Sequence, residues 1–133
     1  MHVRDGMNQI VVTVGPDHTL REAARRMTER KVGAAVVIGV DQPGPSILTE
    51  RDLLYSIGAG QDPDAELVGD HCATRLTYAA ADWSLEQAAE KMVQHAFRHV
   101  IVVDQAEVVG ILSMRDIVRC WTTEGATSEF GTA

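Results

Sequence analysis

The chain contains an internal repeat, and this feature constrains its fold more than any other. With a spacing of 65 residues, identical or similar residues match in order along the sequence: Val3 with Val68, Asp5 with Asp70, Leu20 with Leu85, Met27 with Met92 and Val37 with Val102. One deleted residue reduces the spacing to 64, and Arg51-Asp52 then matches Arg115-Asp116. Ordered matches of this kind indicate two copies of one supersecondary unit.

Each copy has the pattern of a strand, a helix, two strands and a second helix. Thr19 and Ser84 begin matched capping boxes, each followed by apolar residues at helical spacing. The remaining elements follow from β-branched runs and turn residues, which place strands at 10–14, 34–38 and 46–48 in the first copy and at 76–78, 100–103 and 108–112 in the second. A last helix begins at Thr49 in the first copy and at Ser113 in the second. The sequence therefore predicts an α/β (α+β) fold of tandem β-α-β-β-α units.

The repeat also predicts the domain organisation. We expect a first motif at residues 1–60, a second at 61–121 and a flexible tail at 122–133, which is rich in Gly, Ser and Thr. The connector, 58–67, is rich in Gly and Asp and contains Pro63.

Charge and composition exclude several classes of partner. The chain has 19 acidic and 12 basic side chains, a net charge of −7, which disfavours a nucleic-acid binder. The longest apolar run, 34–40, is too short to cross a bilayer, and the N-terminus has no apolar signal core. The two cysteines make no disulfide framework. We expect a cytoplasmic protein that binds neither nucleic acid nor membrane.

No residue pattern indicates catalysis or a metal centre. His71 and Cys72 are adjacent, but a metal site needs about four convergent ligands and no further His or Cys is near in sequence. No Ser-His-Asp set or carboxylate pair is identifiable. We expect no catalytic residues, no metal and no enzyme activity.

The ordered motifs resemble the cystathionine-β-synthase (CBS) domain pair over residues 3–121. The resemblance is carried by the repeated β-α-β-β-α order, by the strand that leads into Thr49-Glu50-Arg51-Asp52, by its partner Ser113-Met114-Arg115-Asp116, and by the run from Phe97 to Asp104. It implies a pseudo-two-fold pair of motifs, the Bateman module. The chain looks like a stand-alone member of the kind found in bacterial stress responses.

The Ser/Thr-x-x-Asp motif has two interpretations, a helix cap and a ligand site. A hydroxyl with an acid three residues later caps a helix without any ligand. Here the motif occurs twice, follows a strand each time and contains Arg51 or Arg115, which favours a ligand site. The chemistry suits a nucleotide: Thr49 or Ser113 and the arginine would bind phosphate at the helix N-terminus, while Asp52 or Asp116 would accept ribose hydroxyls.

The family resemblance implies that such ligands are adenosine derivatives, bound in clefts between the two motifs. AMP, ADP, ATP and S-adenosylmethionine are the candidate regulatory ligands, and no cofactor is required. The adenine would lie near Val12-Thr13 and Leu76-Thr77. Arg98 and His99 match positions that often meet phosphate, whereas the first copy has Gly33 and Ala34 there, so we expect unequal sites.

Two functions of different classes remain open at this point. The favoured one is a regulatory sensor that signals to an unidentified protein partner or through dimer geometry; the alternative is a ligand-free structural adaptor. The resemblance implies a homodimer formed through helices, with apolar candidates on both last helices: Leu53, Leu54, Ile57, Ile117, Val118 and Trp121.

Overall fold

The computed structural model of the chain describes residues 1–39, 44–72 and 78–126. In chain order the elements are α1 (Val3–Gly6), β1 (Thr13–Val14), α2 (Leu20–Arg30), β2 (Ala34–Val37), β3 (Ser46–Thr49), α3 (Glu50–Gly58), β4 (Tyr78–Ala80), α4 (Leu85–His95), β5 (His99–Asp104), β6 (Glu107–Ser113) and α5 (Met114–Cys120). A 3₁₀ turn, Val68–Asp70, precedes β4, and a π-helical turn, Trp121–Ala126, follows α5. The expected β-α-β-β-α order is confirmed in both repeats.

The chain forms two compact units, and the first consists of the described part of Val11–Leu76. We call it the first-repeat unit. Its sheet has the order β1-β2-β3, with β1 parallel and β3 antiparallel to β2. The small residues of α2 allow the helix to pack closely, and its apolar face is buried with Val37, Leu48 and Val68. The helix begins where the Thr19 hydroxyl accepts the Glu22 N–H at 3.2 Å and ends at Lys31, whose φ of 56° is left-handed.

The connector after α3 packs against the start of α2. The N–H groups of Leu20 and Arg21 donate to the carbonyls of Glu66 at 3.0 Å and Pro63 at 3.1 Å. The Arg21 guanidinium pairs with Asp64, and the pair raises the pKa of Arg21 through the hydrogen bond. The expected linker is therefore held along the first-repeat unit by backbone hydrogen bonds.

The second-repeat unit consists of Met1–Ile10 with the described part of Thr77–Ala133. Its sheet has the order β4-β5-β6 with the same parallel and antiparallel pairs. A register irregularity between Val102 and Val103 lies in the long β5-β6 ladder. Leu85, Ala88 and Met92 of α4 are fully buried in the core of this unit, at positions that match Leu20, Ala23 and Met27.

The N-terminal segment packs with the second repeat. Val3 is completely buried beside Leu85 and Leu112 in that core, and its N–H donates to the Trp83 carbonyl at 2.8 Å. The expected boundaries, 1–60 and 61–121, therefore describe the sequence repeat, while the packing units divide the chain differently. The reason is the packing of two short turns. Val3 of α1 lies in the core of the second-repeat unit, and Val68 of the 3₁₀ turn lies in the core of the first-repeat unit.

The first residues of the expected tail continue from α5. Residues Trp121–Ala126 continue α5 as a π-helical turn, and Thr122 and Thr123 donate their hydroxyls to the Arg119 carbonyl. The rest of the expected tail, 127–133, lies outside the described residues. Among the described helices, none combines the length and the apolar character that crossing a bilayer requires.

Candidate functional site

The first Thr-x-x-Asp motif lies where β3 passes directly into α3. Thr49 ends the strand and is the N-cap of the helix. Its N–H donates to Asp52 Oδ2 at 2.8 Å, and its hydroxyl lies 3.1 Å from the same oxygen. Both residues are half-buried, whereas Arg51 between them is exposed. The motif thus forms a capping box and also directs an arginine into solvent beside it.

The second motif repeats this arrangement at the end of β6. The Ser113 N–H donates to Asp116 Oδ2 at 2.9 Å, and the Asp116 N–H donates to the Ser113 hydroxyl at 3.0 Å. Arg115 is exposed, like Arg51. The capping role that the sequence allowed is therefore formed in both repeats, and a ligand role for these residues stays a prediction.

A further arginine distinguishes the second motif. Arg119 Nη1 lies 3.2 Å from Asp116 Oδ1, and Arg119 Nη2 donates to the Gly6 carbonyl at 3.3 Å. Both carboxylate oxygens of Asp116 are therefore engaged within the second-repeat unit. Sequence reasoning did not single out Arg119, although its spacing of three residues from Asp116 on one helix was a usable signal.

Arg98 and His99 lie beside Ser113 and Met114 in the second-repeat unit. His99 is directly opposite Ser113 in the β5-β6 ladder, and the Met114 N–H donates to the Arg98 carbonyl at 2.9 Å. Arg98 is exposed and His99 is half-buried. The structure therefore brings two potential cations next to the start of α5.

The matching place in the first-repeat unit has no basic side chain. Ala34 lies opposite Thr49 in the ladder, and the Glu50 N–H donates to the Gly33 carbonyl at 2.9 Å. The identical backbone bond shows that Gly33 and Arg98 are structural equivalents. The difference between the expected sites is thus a difference of side chains on the same backbone.

Val12 and Thr13 lie on the far strand of the first sheet. The Val12 carbonyl accepts the Val36 N–H at 2.8 Å, and Thr13 pairs with Val36. Because β2 lies between β1 and β3, this register places the Cα atoms of Thr13 and Thr49 about 12 Å apart. The other two residues expected near adenine, Leu76 and Thr77, lie outside the described residues.

An arginine of α2 connects the ion pairs on that helix to β1. Arg26 Nη1 donates to the Thr13 carbonyl at 3.1 Å, and its Nε donates to Glu22 at 2.9 Å. Hydrogen bonds from Arg25 and Arg26 lower the pKa of Glu22 from 4.5 to about 2. The lowered pKa keeps Glu22 ionised into the acid range, and Glu22 holds Arg26 beside Thr13, the first residue of β1.

The described residues contain no group of three or more His, Cys, Asp and Glu side chains placed to hold a metal ion. His71 Nε2 lies 2.8 Å from Glu66 Oε1, so the two side chains are engaged with each other. A zinc site needs about four ligands. Cys72 is half-buried and Cys120 is buried, and both are free thiols.

Comparisons with known proteins agree with this architecture. The family model of the CBS domain matches residues 2–59 and 68–122. Hypoxic response protein 1 of Mycobacterium tuberculosis is 34% identical over 117 residues, which cover 87% of this chain and 82% of that protein.

Two solved structures are similar in fold. A CBS domain protein from Pyrobaculum aerophilum, complexed with AMP, has a TM-score of 0.80 and 31% identity, and the match covers 100% of both chains. A hexameric CBS-CP12 protein from bloom-forming cyanobacteria has a TM-score of 0.86 and 26% identity over 94% of this chain and 75% of that one. With two matched motifs, two equivalent sheets and relatives of this kind, the chain belongs to the CBS domain family and carries a pair of CBS domains.

Proposed function

We propose that the protein is a regulatory module that binds an adenosine-containing ligand and signals its presence. The observation that carries the proposal is the AMP complex of the Pyrobaculum aerophilum relative, whose match spans the whole of both chains at 31% identity. AMP, ADP, ATP and S-adenosylmethionine share the adenosine group and are the candidate ligands. The ligand acts as a signal, so the proposal includes neither a reaction nor a required cofactor.

The groups at the two motifs suit the parts of such a ligand. Arg51 and Arg115 are exposed beside a helix N-terminus, where charge-assisted hydrogen bonds to phosphate are strong. Asp52 and Asp116 are half-buried acceptors, which matches the two donors of a ribose. Thr49 and Ser113 hold these carboxylates in place through the capping boxes.

The remaining predicted residues complete the assignment. We assign Arg98 and His99 to phosphate in the second repeat, because their backbone lies directly beside Ser113 and Met114. The backbone and apolar surface near Val12-Thr13 and Leu76-Thr77 are assigned to adenine, as the family resemblance implies.

Thermal unfolding with AMP, ADP, ATP, S-adenosylmethionine and NADH in turn tests the proposal. A ligand present at 100 times its dissociation constant should stabilise the folded state by about 2.7 kcal/mol. For a chain of this size that shift is several degrees in Tm. If none of the five shifts Tm at millimolar concentration, the adaptor function replaces the sensor.

We propose in addition that the protein acts as a homodimer in the cytoplasm. Leu54 and Tyr55 on α3 are each 66% exposed and Ile57 is 59% exposed, while Val118 and Trp121 are also exposed. Two of the residues expected at the interface, Leu53 and Ile117, instead pack in the cores of their units. The two free thiols are compatible with a reducing compartment.

Light scattering on the purified chain tests the dimer, which should have twice the chain mass of 14.5 kDa. The Leu54→Lys variant should shift the population toward the monomer, because it places a charge on the exposed apolar face of α3. Val93→Lys is the matched control, since Val93 is equally exposed on α4. A monomer at micromolar concentration would contradict the proposal.

A further inference from the structure

The first residue of the last helix differs in charge between the repeats. Glu50 begins α3 and Met114 begins α5, and each N–H donates to the equivalent carbonyl, Gly33 or Arg98, at 2.9 Å. The two residues therefore occupy the same place relative to the sheet and the capping box. Any difference in what they do comes from their side chains.

The Glu50 carboxylate lies against the backbone of Gly33. A Cβ atom at Gly33 would meet Cδ of Glu50 at 3.1 Å and its two carboxylate oxygens at 3.1 and 3.2 Å. The carboxylate thus lies directly over the position from which Arg98 extends its side chain in the second repeat. The first repeat thus has an anion over the backbone from which, in the second repeat, the side chain of a cationic residue extends.

The neighbouring charges increase this contrast. The start of α3 has two acids, Glu50 and Asp52, against one base, Arg51. The start of α5 has one acid, Asp116, which is paired with Arg119. Two exposed bases are also present there: Arg115 lies in the first turn, and the backbone of Arg98 is hydrogen-bonded to Met114. A phosphate at the second motif meets mainly basic side chains, whereas at the first motif the Glu50 carboxylate opposes the attraction of Arg51.

We propose that Glu50 is a specificity-determining residue that makes the first motif select an uncharged nucleoside over its phosphorylated form. The inference rests on the proposed function, which it deepens by assigning phosphorylated ligands to the second motif. Repulsion between unit charges about 4 Å apart in water corresponds to about a fivefold change in affinity. Glu50 therefore lowers the affinity of the first motif for AMP and leaves its affinity for adenosine unchanged.

Calorimetric titration of the full chain with adenosine and with AMP tests the proposal on Glu50→Gln. This change keeps the shape of the side chain and removes its charge. The AMP affinity of the first motif should rise about fivefold, with adenosine affinity changed less than twofold. Because the effect is electrostatic, the gain in AMP affinity should shrink as the salt concentration rises from about 50 to 500 mM, which shortens the Debye length from roughly 14 Å to 4 Å. A structural role for Glu50 would not produce that salt dependence.

Two further variants complete the test. Glu90→Gln removes an equal charge from an exposed position on α4 and should leave the ratio of AMP to adenosine affinity unchanged. Met114→Glu gives the second motif the acid of the first and should weaken AMP about fivefold. If wild type binds both ligands and Glu50→Gln leaves their affinity ratio unchanged, the role of Glu50 is overturned and the proposed function stands. If wild type binds neither ligand, the role of Glu50 fails, and the thermal test with ADP, ATP, S-adenosylmethionine and NADH decides the proposed function separately.

Discussion

Arg119 and Asp116 form an ion pair with 3.2 Å between Nη1 and Oδ1, and the first repeat has no equivalent pair because Tyr55 occupies the matching position. Arg119 also donates to the carbonyl of Gly6, the last residue of α1. The second Asp of the repeated motif is thus tied to the N-terminal segment. The first is held by its capping box.

This difference predicts unequal effects of Asp→Asn on stability. Asp116→Asn should destabilise the ligand-free protein by about 0.3–0.5 kcal/mol more than Asp52→Asn, the usual contribution of an exposed ion pair on a helix. Urea unfolding measures both. Arg119→Gln is the control: in the Asp116→Asn background it should cost only its hydrogen bond to the Gly6 carbonyl, since the ion pair is already broken. Equal losses from the two Asp→Asn variants would show that the Arg119 pair contributes nothing.

The same difference predicts the order of effects on ligand binding. Asp52 Oδ1 accepts no hydrogen bond from the described residues, whereas both oxygens of Asp116 are engaged. Asp52→Asn should therefore weaken adenosine binding more, by about 1.5–3 kcal/mol for the loss of a charged hydrogen bond. Calorimetric titration gives the affinities, with exposed Asp70→Asn as the control. Unchanged affinity in both motif variants would remove these residues from the site.

The contact between the N-terminal segment and β6 depends on a glycine. A Cβ at Gly110 would lie 2.8 Å from the Asn8 carbonyl oxygen and 2.9 Å from Met7 Sδ. Gly110→Ala should therefore destabilise the protein by about 1–3 kcal/mol, the usual range for overpacking. Gly58→Ala is the matched control at the end of α3, where a Cβ meets no atom within 4 Å, and it should be neutral or stabilising. Chemical unfolding of both variants decides whether the segment packs as described.

Val3 and Val68 should be equally sensitive to truncation, because both are completely buried in a unit core. Each Val→Ala change should destabilise the protein by about 2 kcal/mol through lost apolar contact and a small cavity. Val12→Ala, at a half-buried position, is the control and should cost less. If Val3→Ala is neutral in denaturant unfolding, the N-terminal segment does not belong to the core.

These two valines show what the sequence could and could not predict. The spacing of 65 residues matched them correctly, and helical and strand periodicity gave the order of the elements. Neither pattern contains information on which core a short turn such as α1 covers, because that depends on contacts distant in sequence. The packing of Val3 beside Leu85 was therefore not predictable from local signals.

The candidate site divides in the same way. The capping boxes were recognisable because they have a fixed spacing, and they are formed by Thr49 with Asp52 and by Ser113 with Asp116. The position of His99 opposite Ser113 follows from the register of the β5-β6 ladder, which no spacing in the sequence predicted. The role proposed for Glu50 could not be predicted from the sequence. It depends on the contact of its carboxylate with Gly33, two residues that are distant in sequence and share no recognisable motif.

Low pH should destabilise the folded protein through protonation of Glu22 in the first-repeat unit. Its pKa is about 2 in the folded protein against an ordinary value of 4.5, because Arg25 and Arg26 donate hydrogen bonds to it. A lowered folded pKa means that the stabilising contribution is complete above pH 4.5, declines as the pH falls and is lost near pH 2. The difference in unfolding free energy between wild type and Glu22→Gln should accordingly shrink between pH 5 and pH 3, measured by urea titration at constant salt. A Glu22→Gln difference that stays constant over this range would mean that the Arg25 and Arg26 pairs do not form in solution.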